Sequence, residues 1–101
     1  MITSVREIAG STLPGSFELK QNYPNPFNPT TRIGFQIVAP GFVTLKVYDI
    51  LGREVRTLVN EELKAGSYEK TFDASGLASG VYYYRIQAGD FAETKKLLLL
   101  R

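Results

Sequence analysis

The sequence predicts an all-β domain, an antiparallel β-sandwich of about seven strands. Three observations carry that expectation. Apolar residues recur with period two in one segment after another, the pattern that lines one face of a strand. Clusters of Gly, Pro, Asn and Asp break these segments at intervals of about 8–12 residues. No segment has helical spacing over a length that would stand as a helix. The chain has 101 residues, of which 44% are hydrophobic, and one domain is the natural reading at that length. A domain this small buries about 60–65% of its unfolded surface, so its stability margin is modest.

The elements follow in chain order. Residues 1–16 hold few large apolar groups, and Gly10-Ser11-Thr12-Leu13-Pro14-Gly15-Ser16 reads as a linker. Residues 1–16 are therefore expected to be a flexible tether from an upstream domain, and 17–101 the sandwich. Arg32–Val38 places Ile33, Phe35 and Ile37 on one face. Phe42–Asp49 places Val43, Leu45 and Val47 inward, with Thr44, Lys46 and Tyr48 outward. Pro40-Gly41 is the turn between them. A second turn follows at Ile50–Arg53, where Gly52 suits a positive φ, and Glu54–Val59 is the partner strand. Asn60–Gly66 reads as a loop ending at Gly66.

On Ser67–Asp73, Tyr68 and Phe72 share a face. Asp73–Gly80 is a connector with a single 3₁₀ turn expected around Ser75–Leu77 and Leu77 in the core. Val81–Gln87 sets Tyr82, Tyr84 and Ile86 on one face and Val81, Tyr83 and Arg85 on the other. Ala88-Gly89-Asp90 closes a hairpin, and Phe91–Leu100 is the last strand.

Two segments break the rules of a plain sandwich. In Asn22-Tyr23-Pro24-Asn25-Pro26-Phe27-Asn28-Pro29-Thr30-Thr31 three prolines alternate with Asn and aromatic residues. Proline lacks the ladder donor and fixes φ, so a stiff, extended cross-over is expected there. Either it packs Tyr23 and Phe27 over one end of the sandwich, or it is a preformed recognition surface. The second segment is Lys95-Lys96-Leu97-Leu98-Leu99-Leu100-Arg101. Leu97 and Leu99 can face the core, which leaves Leu98 and Leu100 on the opposite side. Either something covers that side, or it is an apolar edge that a partner completes by strand addition. Lys95, Lys96 and Arg101 would keep the run soluble or pair with acidic groups on a partner.

Composition narrows the chemistry. The chain has no cysteine and no histidine. It therefore has no thiolate nucleophile, and the commonest general base and zinc ligand are both missing. Ser67, Ser75 and Ser79 have nothing to activate them, and Gly76–Gly80 matches no phosphate-binding fingerprint. Acidic residues stand singly: Asp49, Asp73 and Asp90 at turns, where the first two suit turn capping, and Glu54, Glu69 and Glu93 on strands. No compact acidic motif announces calcium. A net charge of +2 is too weak to argue for nucleic acid. No apolar run approaches the roughly 20 residues of a membrane-spanning helix, and Met1–Arg6 is not a signal peptide. The expectation is a non-enzyme with no catalytic residue, no cofactor and no metal. A sugar platform on Tyr83 or Tyr48 is the one binding alternative, with Tyr82 and Tyr84 in the core.

Several motifs then stand in order: Gln21–Thr31; Val47-Tyr48-Asp49 with Gly52-Arg53; Ala65-Gly66; Leu77-Ala78-Ser79-Gly80-Val81-Tyr82-Tyr83-Tyr84-Arg85; and Lys95-Lys96-Leu97. In that order and spacing they resemble the type A C-terminal sorting domain of type IX secretion cargo, and the related Ig-like domain of flagellar hook-capping proteins. The resemblance covers about Phe17 to Arg101. It implies an Ig-like sandwich at the end of a secreted protein of Bacteroidetes-type bacteria. It implies a non-catalytic signal, read by the outer-membrane secretion translocon after passage through the periplasm. It further implies removal by a sortase-like signal peptidase, with cleavage around Gly10–Ser16, and attachment of the upstream cargo domain to the cell surface.

Carried over by position, the recognition residues are Gly66, Gly80, Tyr82, Lys95, Lys96 and Leu97, continued by Leu98, Leu99 and Leu100. Tyr68 departs from the histidine common in relatives. The alternative is a module retained on the secreted protein that attaches it to the cell surface or to carbohydrate.

Overall fold

The computed structural model describes the backbone of residues 6–7 and all of residues 15–101. Its strands are β1 (Arg6–Glu7), β2 (Glu18–Leu19), β3 (Thr30–Ile37), β4 (Gly41–Tyr48), β5 (Glu54–Leu63), β6 (Gly66–Asp73), β7 (Gly80–Ala88) and β8 (Phe91–Leu99). They form two four-stranded sheets, ordered β1-β6-β3-β2 and β5-β4-β7-β8, and every strand pair is antiparallel. The all-β sandwich is what the sequence pattern requires. No helix among the described residues is long and apolar enough to cross a membrane. Residues 1–5 and 8–14 of the expected tether lie outside the described residues, and 6–7 pair with Glu69 and Tyr68 on β6.

The core is the sum of the period-two faces. Ile33, Phe35, Ile37, Tyr68 and Phe72 come from one sheet; Val43, Leu45, Val47, Tyr84, Ile86, Leu97 and Leu99 come from the other. Each such side chain removed from water contributes about 1.5–3 kcal/mol. Phe35 stacks on Tyr68 with ring centroids 5.5 Å apart, beneath the paired backbones of β3 and β6. At the open side, where β2 approaches β8, Phe17 stacks on Phe91 at 5.2 Å.

Three expectations are corrected. The partner strand of the second hairpin does not stop at Val59 but runs to Leu63, so the Asn60–Gly66 loop shrinks to Lys64 and Ala65. A bulge explains the difference. Leu45 pairs with Val59 and Lys46 with Thr57, which leaves Leu58 as the extra residue. Leu58 and Val59 are both buried, and alternation resumes one residue out of phase, ending on buried Leu63. The connector after β6 holds a hydrogen-bonded turn from Leu77 N–H to Ala74 O (3.0 Å) and no 3₁₀ helix. Leu77 packs, partly buried, against the core.

The third correction concerns the Pro/Asn segment. It is not an extended cross-over but a closed loop. Tyr23 and Arg32 exchange both backbone hydrogen bonds at 2.9 Å, so the chain returns beside its own start. The Tyr23–Pro24, Asn25–Pro26 and Asn28–Pro29 bonds are cis. β3 begins immediately after Pro29, the last ring that would remove a ladder donor.

Candidate recognition surface

The loop is closed by side chains that replace the backbone donors its prolines lack. Asn22 is 2% exposed. Its amide nitrogen donates to Pro24 O (3.1 Å) and to Thr31 Oγ1 (3.0 Å), and the Thr31 hydroxyl donates to Pro24 O (2.8 Å). One buried amide and one buried hydroxyl thus hold both ends of the loop, and no buried side-chain polar atom among the described residues is left unpaired. The Asn22 N–H donates to the Tyr84 hydroxyl (2.8 Å), which itself donates to Lys20 O (2.7 Å). Tyr84 lies in the middle of β7, so this phenol ties the loop to the opposite sheet. Burial pushes its pKa up to about 12, against the hydrogen bond from Asn22, which favours the phenolate.

The tip of the loop lies along the outer edge of β8. Asn25 Oδ1 accepts the Leu98 N–H (3.0 Å). Phe27 N–H donates to Leu98 O (3.1 Å), and Leu100 N–H donates to Phe27 O (3.0 Å), a parallel bridge to Leu99. Gln21 Nε2 donates to Lys96 O (2.8 Å). Phe27 is 3% exposed and packs against Phe72 of the other sheet at 5.9 Å. The apolar C-terminal edge is therefore covered by the chain's own loop, and its backbone from Lys96 to Leu100 is not open to strand addition. Between loop and strand lies a shallow slot of about 230 Å³ lined by Asn25, Pro26, Val81, Lys96, Leu97 and Leu98.

The chain end closes the same corner. Arg101 donates from its backbone to Ser79 Oγ (3.0 Å) and from its guanidinium to Leu77 O (2.8 Å) and Ala74 O (3.1 Å). These three bonds tie the chain end to its own connector. Nearby, Asp73 Oδ1 accepts from Ser75 Oγ (2.6 Å) and Ser75 N–H (2.9 Å), bonds that hold its carboxyl below the usual range. Asp49 caps its turn in the same way. Its Oδ1 accepts from Leu51 N–H and Arg53 N–H, and the bond from the Arg53 backbone leads in lowering its pKa. Gly52, at φ +83, makes that turn.

A model of the secretion system C-terminal sorting domain matches residues 21–100. The chain belongs to that family. No curated protein and no solved structure matches it. The matched range opens one residue before the Asn22 network and closes on Leu100, so it takes in both halves of the corner. A sorting domain of this family is a C-terminal signal for type IX secretion. It implies contact with that machinery, a cargo domain in cis, and export toward the cell surface or beyond.

The sorting domain distributes the residues singled out from its sequence unevenly. Leu97 and Leu99 are core, fully buried, while Leu98 is half-buried on the outer face and Leu100 is 50% exposed. Tyr82 faces Leu97 across the ladder, and its hydroxyl donates to Ala78 O (2.6 Å). Gly80 stands opposite Leu99. Lys95 pairs with Glu93 at 3.4 Å, and Lys96 is exposed. Gly66 lies away from all of these: it is buried at the start of β6, opposite Ile37, the full length of the strand from Asp73.

In the loop, Asn22 and Phe27 are buried, Pro29 is half-buried, and Pro24, Asn25, Pro26 and Asn28 are exposed. Tyr23 does not pack over the sandwich as expected but is 72% exposed. Its backbone pairs with outward-facing Arg32, so alternation turns Asn22 in and Tyr23 out. Sequence reasoning left out Gln21, Thr31 and the Tyr84 hydroxyl as ties. Only the polar residues bracketing the prolines hinted at them.

Proposed function

We propose that this domain is read as a folded surface by the outer-membrane translocon of the type IX machinery, once its cargo has reached the periplasm. A sortase-like peptidase then removes it by cleavage around Gly10–Ser16 and attaches the cargo to the cell surface. The surface in question is the corner built from the Pro/Asn loop and the last strand. One observation carries the reading. Asn25 and Leu98, 73 residues apart, are joined by a hydrogen bond, so two unusual segments present one face: Pro24–Pro26, the outer sides of Lys96 and Leu98, and Leu100. Exposed Ile50 and Leu51 project from the β4–β5 turn at the same end of the sandwich. Gly80, Tyr82, Leu97 and Leu99 hold that face in place, while Gly66 stands at the other end of β6 and has no part in it. With the backbone edge occupied, docking is through side chains.

The experiment fuses the domain to a reporter and replaces Lys96→Glu with Leu100→Asp. Both residues are exposed, so the core stays intact. The reporter should accumulate, folded, in the periplasm. Export at the unmodified rate would overturn the proposal. Deleting 95–101 is a poorer test, because it also removes Leu97 and Leu99 from the core.

A further inference from the structure

We propose that the outer face of the β5-β4-β7-β8 sheet is a platform for an acidic polysaccharide, a role beyond sorting. Strand register builds the face in rows. Tyr48 pairs with Tyr83, and Tyr83 with Lys96; Lys46 pairs with Arg85, and Arg85 with Thr94. Each strand-to-strand step is about 4.8 Å, so the row Tyr48–Tyr83–Lys96 spans roughly 10 Å. Two tyrosines thus stand on neighbouring strands of this outer face, Tyr83 38% exposed and Tyr48 half-buried, and cations flank them on two sides.

The charges on this face are unequal. Lys46 is held by Glu54 at 3.4 Å, and Glu54 also accepts from Thr57. Arg85 has only a long hydrogen bond to Gln87 (3.4 Å), and neither Arg85 nor Lys96 has a carboxylate partner among the described residues. The platform therefore offers two cations to an anionic ligand beside tyrosines, a side-chain type that suits the apolar faces of sugar rings. Two cations are too few to hold a nucleic acid backbone. A peptide cannot add as a strand here, because β4 and β7 are both paired on each side. Aromatic side chains on an open sheet face suit stacked sugar rings better than inserted side chains.

The test uses the whole chain and affinity electrophoresis through gels holding polygalacturonate, dextran or polyglutamate. Polygalacturonate should retard the protein, less so as salt rises. Tyr83→Ala should weaken the retardation roughly fivefold, Arg85→Gln should weaken it as well, and Lys64→Gln, the same charge change in the β5–β6 turn, should leave it as it was. No retardation by polygalacturonate would overturn the proposal, as would equal retardation by dextran. Equal retardation by polyglutamate with no effect of Tyr83→Ala would also overturn it, since that is charge alone.

Discussion

Replacing Tyr84 with phenylalanine removes one oxygen and two hydrogen bonds from the tie between loop and sandwich. The phenol accepts from Asn22 N–H at 2.8 Å and donates to Lys20 O at 2.7 Å. Phenylalanine fills the same space, so no cavity opens. The cost comes from two lost bonds and two backbone groups left unpaired beside a fully buried ring. That sums to about 2–4 kcal/mol at neutral pH, or roughly 10–20 °C in Tm for a domain of this size.

The sign of its pH dependence follows from the raised pKa. The unfolded phenol ionises near pH 10 and the folded one at about 12. Between these values the unfolded state has already lost its proton, so the native protein loses stability as pH rises. The term is fully present below pH 10 and gone above 12, and two pKa steps amount to about 2.7 kcal/mol. Tyr84→Phe has no such term. The stability gap between the two proteins, measured by urea unfolding across pH 7–12, should therefore narrow as pH rises past 10. A gap near zero at pH 7, or one constant up to pH 12, would refute the assignment of Tyr84 as the tie.

Phe27→Ala should cost about 3–5 kcal/mol in urea unfolding, since Phe27 is buried against Phe72 at the joint of loop and strand. Asn25→Ala should speed hydrogen exchange at the Leu98 amide, its partner, and leave the Ile33 amide unchanged. Asp49 and Asp73 have lowered folded pKa values. The stability they lend is present above the unfolded value and lost as pH falls through the folded one, so Asp49→Asn with Asp73→Asn should flatten acid unfolding below about pH 4.

The strands were legible where burial is one-sided. Ile33, Phe35 and Ile37, or Tyr82, Tyr84 and Ile86, alternate because the pleat turns every second side chain inward, and all six are buried. β5 was not legible beyond Val59, because the bulge at Leu58 shifts the phase and hides Leu63 in what looks like a polar loop. The caps at Asp49 and Asp73 were readable, since each bonds within a few residues of itself. The Pro/Asn segment and the leucine run each announced themselves by breaking a rule. That they meet was invisible, since a hydrogen bond from Leu98 to Asn25 leaves no periodic trace. Arg101 likewise looked like a free charge, although its guanidinium reaches Ala74 and Leu77.

In the function proposed above, the secretion machinery reads a folded corner, not a linear tail. Site-specific photo-crosslinking during export tests it most directly, with the probe placed in turn at Pro26, Leu100 and Phe42, the last 51% exposed at the opposite end of the sandwich. Crosslinks to an outer-membrane component are expected from Pro26 and from Leu100 and none from Phe42. They should be lost from both positions when Phe27→Ala frees the loop. Crosslinks from Leu100 alone that persist in Phe27→Ala, or crosslinks from Phe42 only, would contradict it.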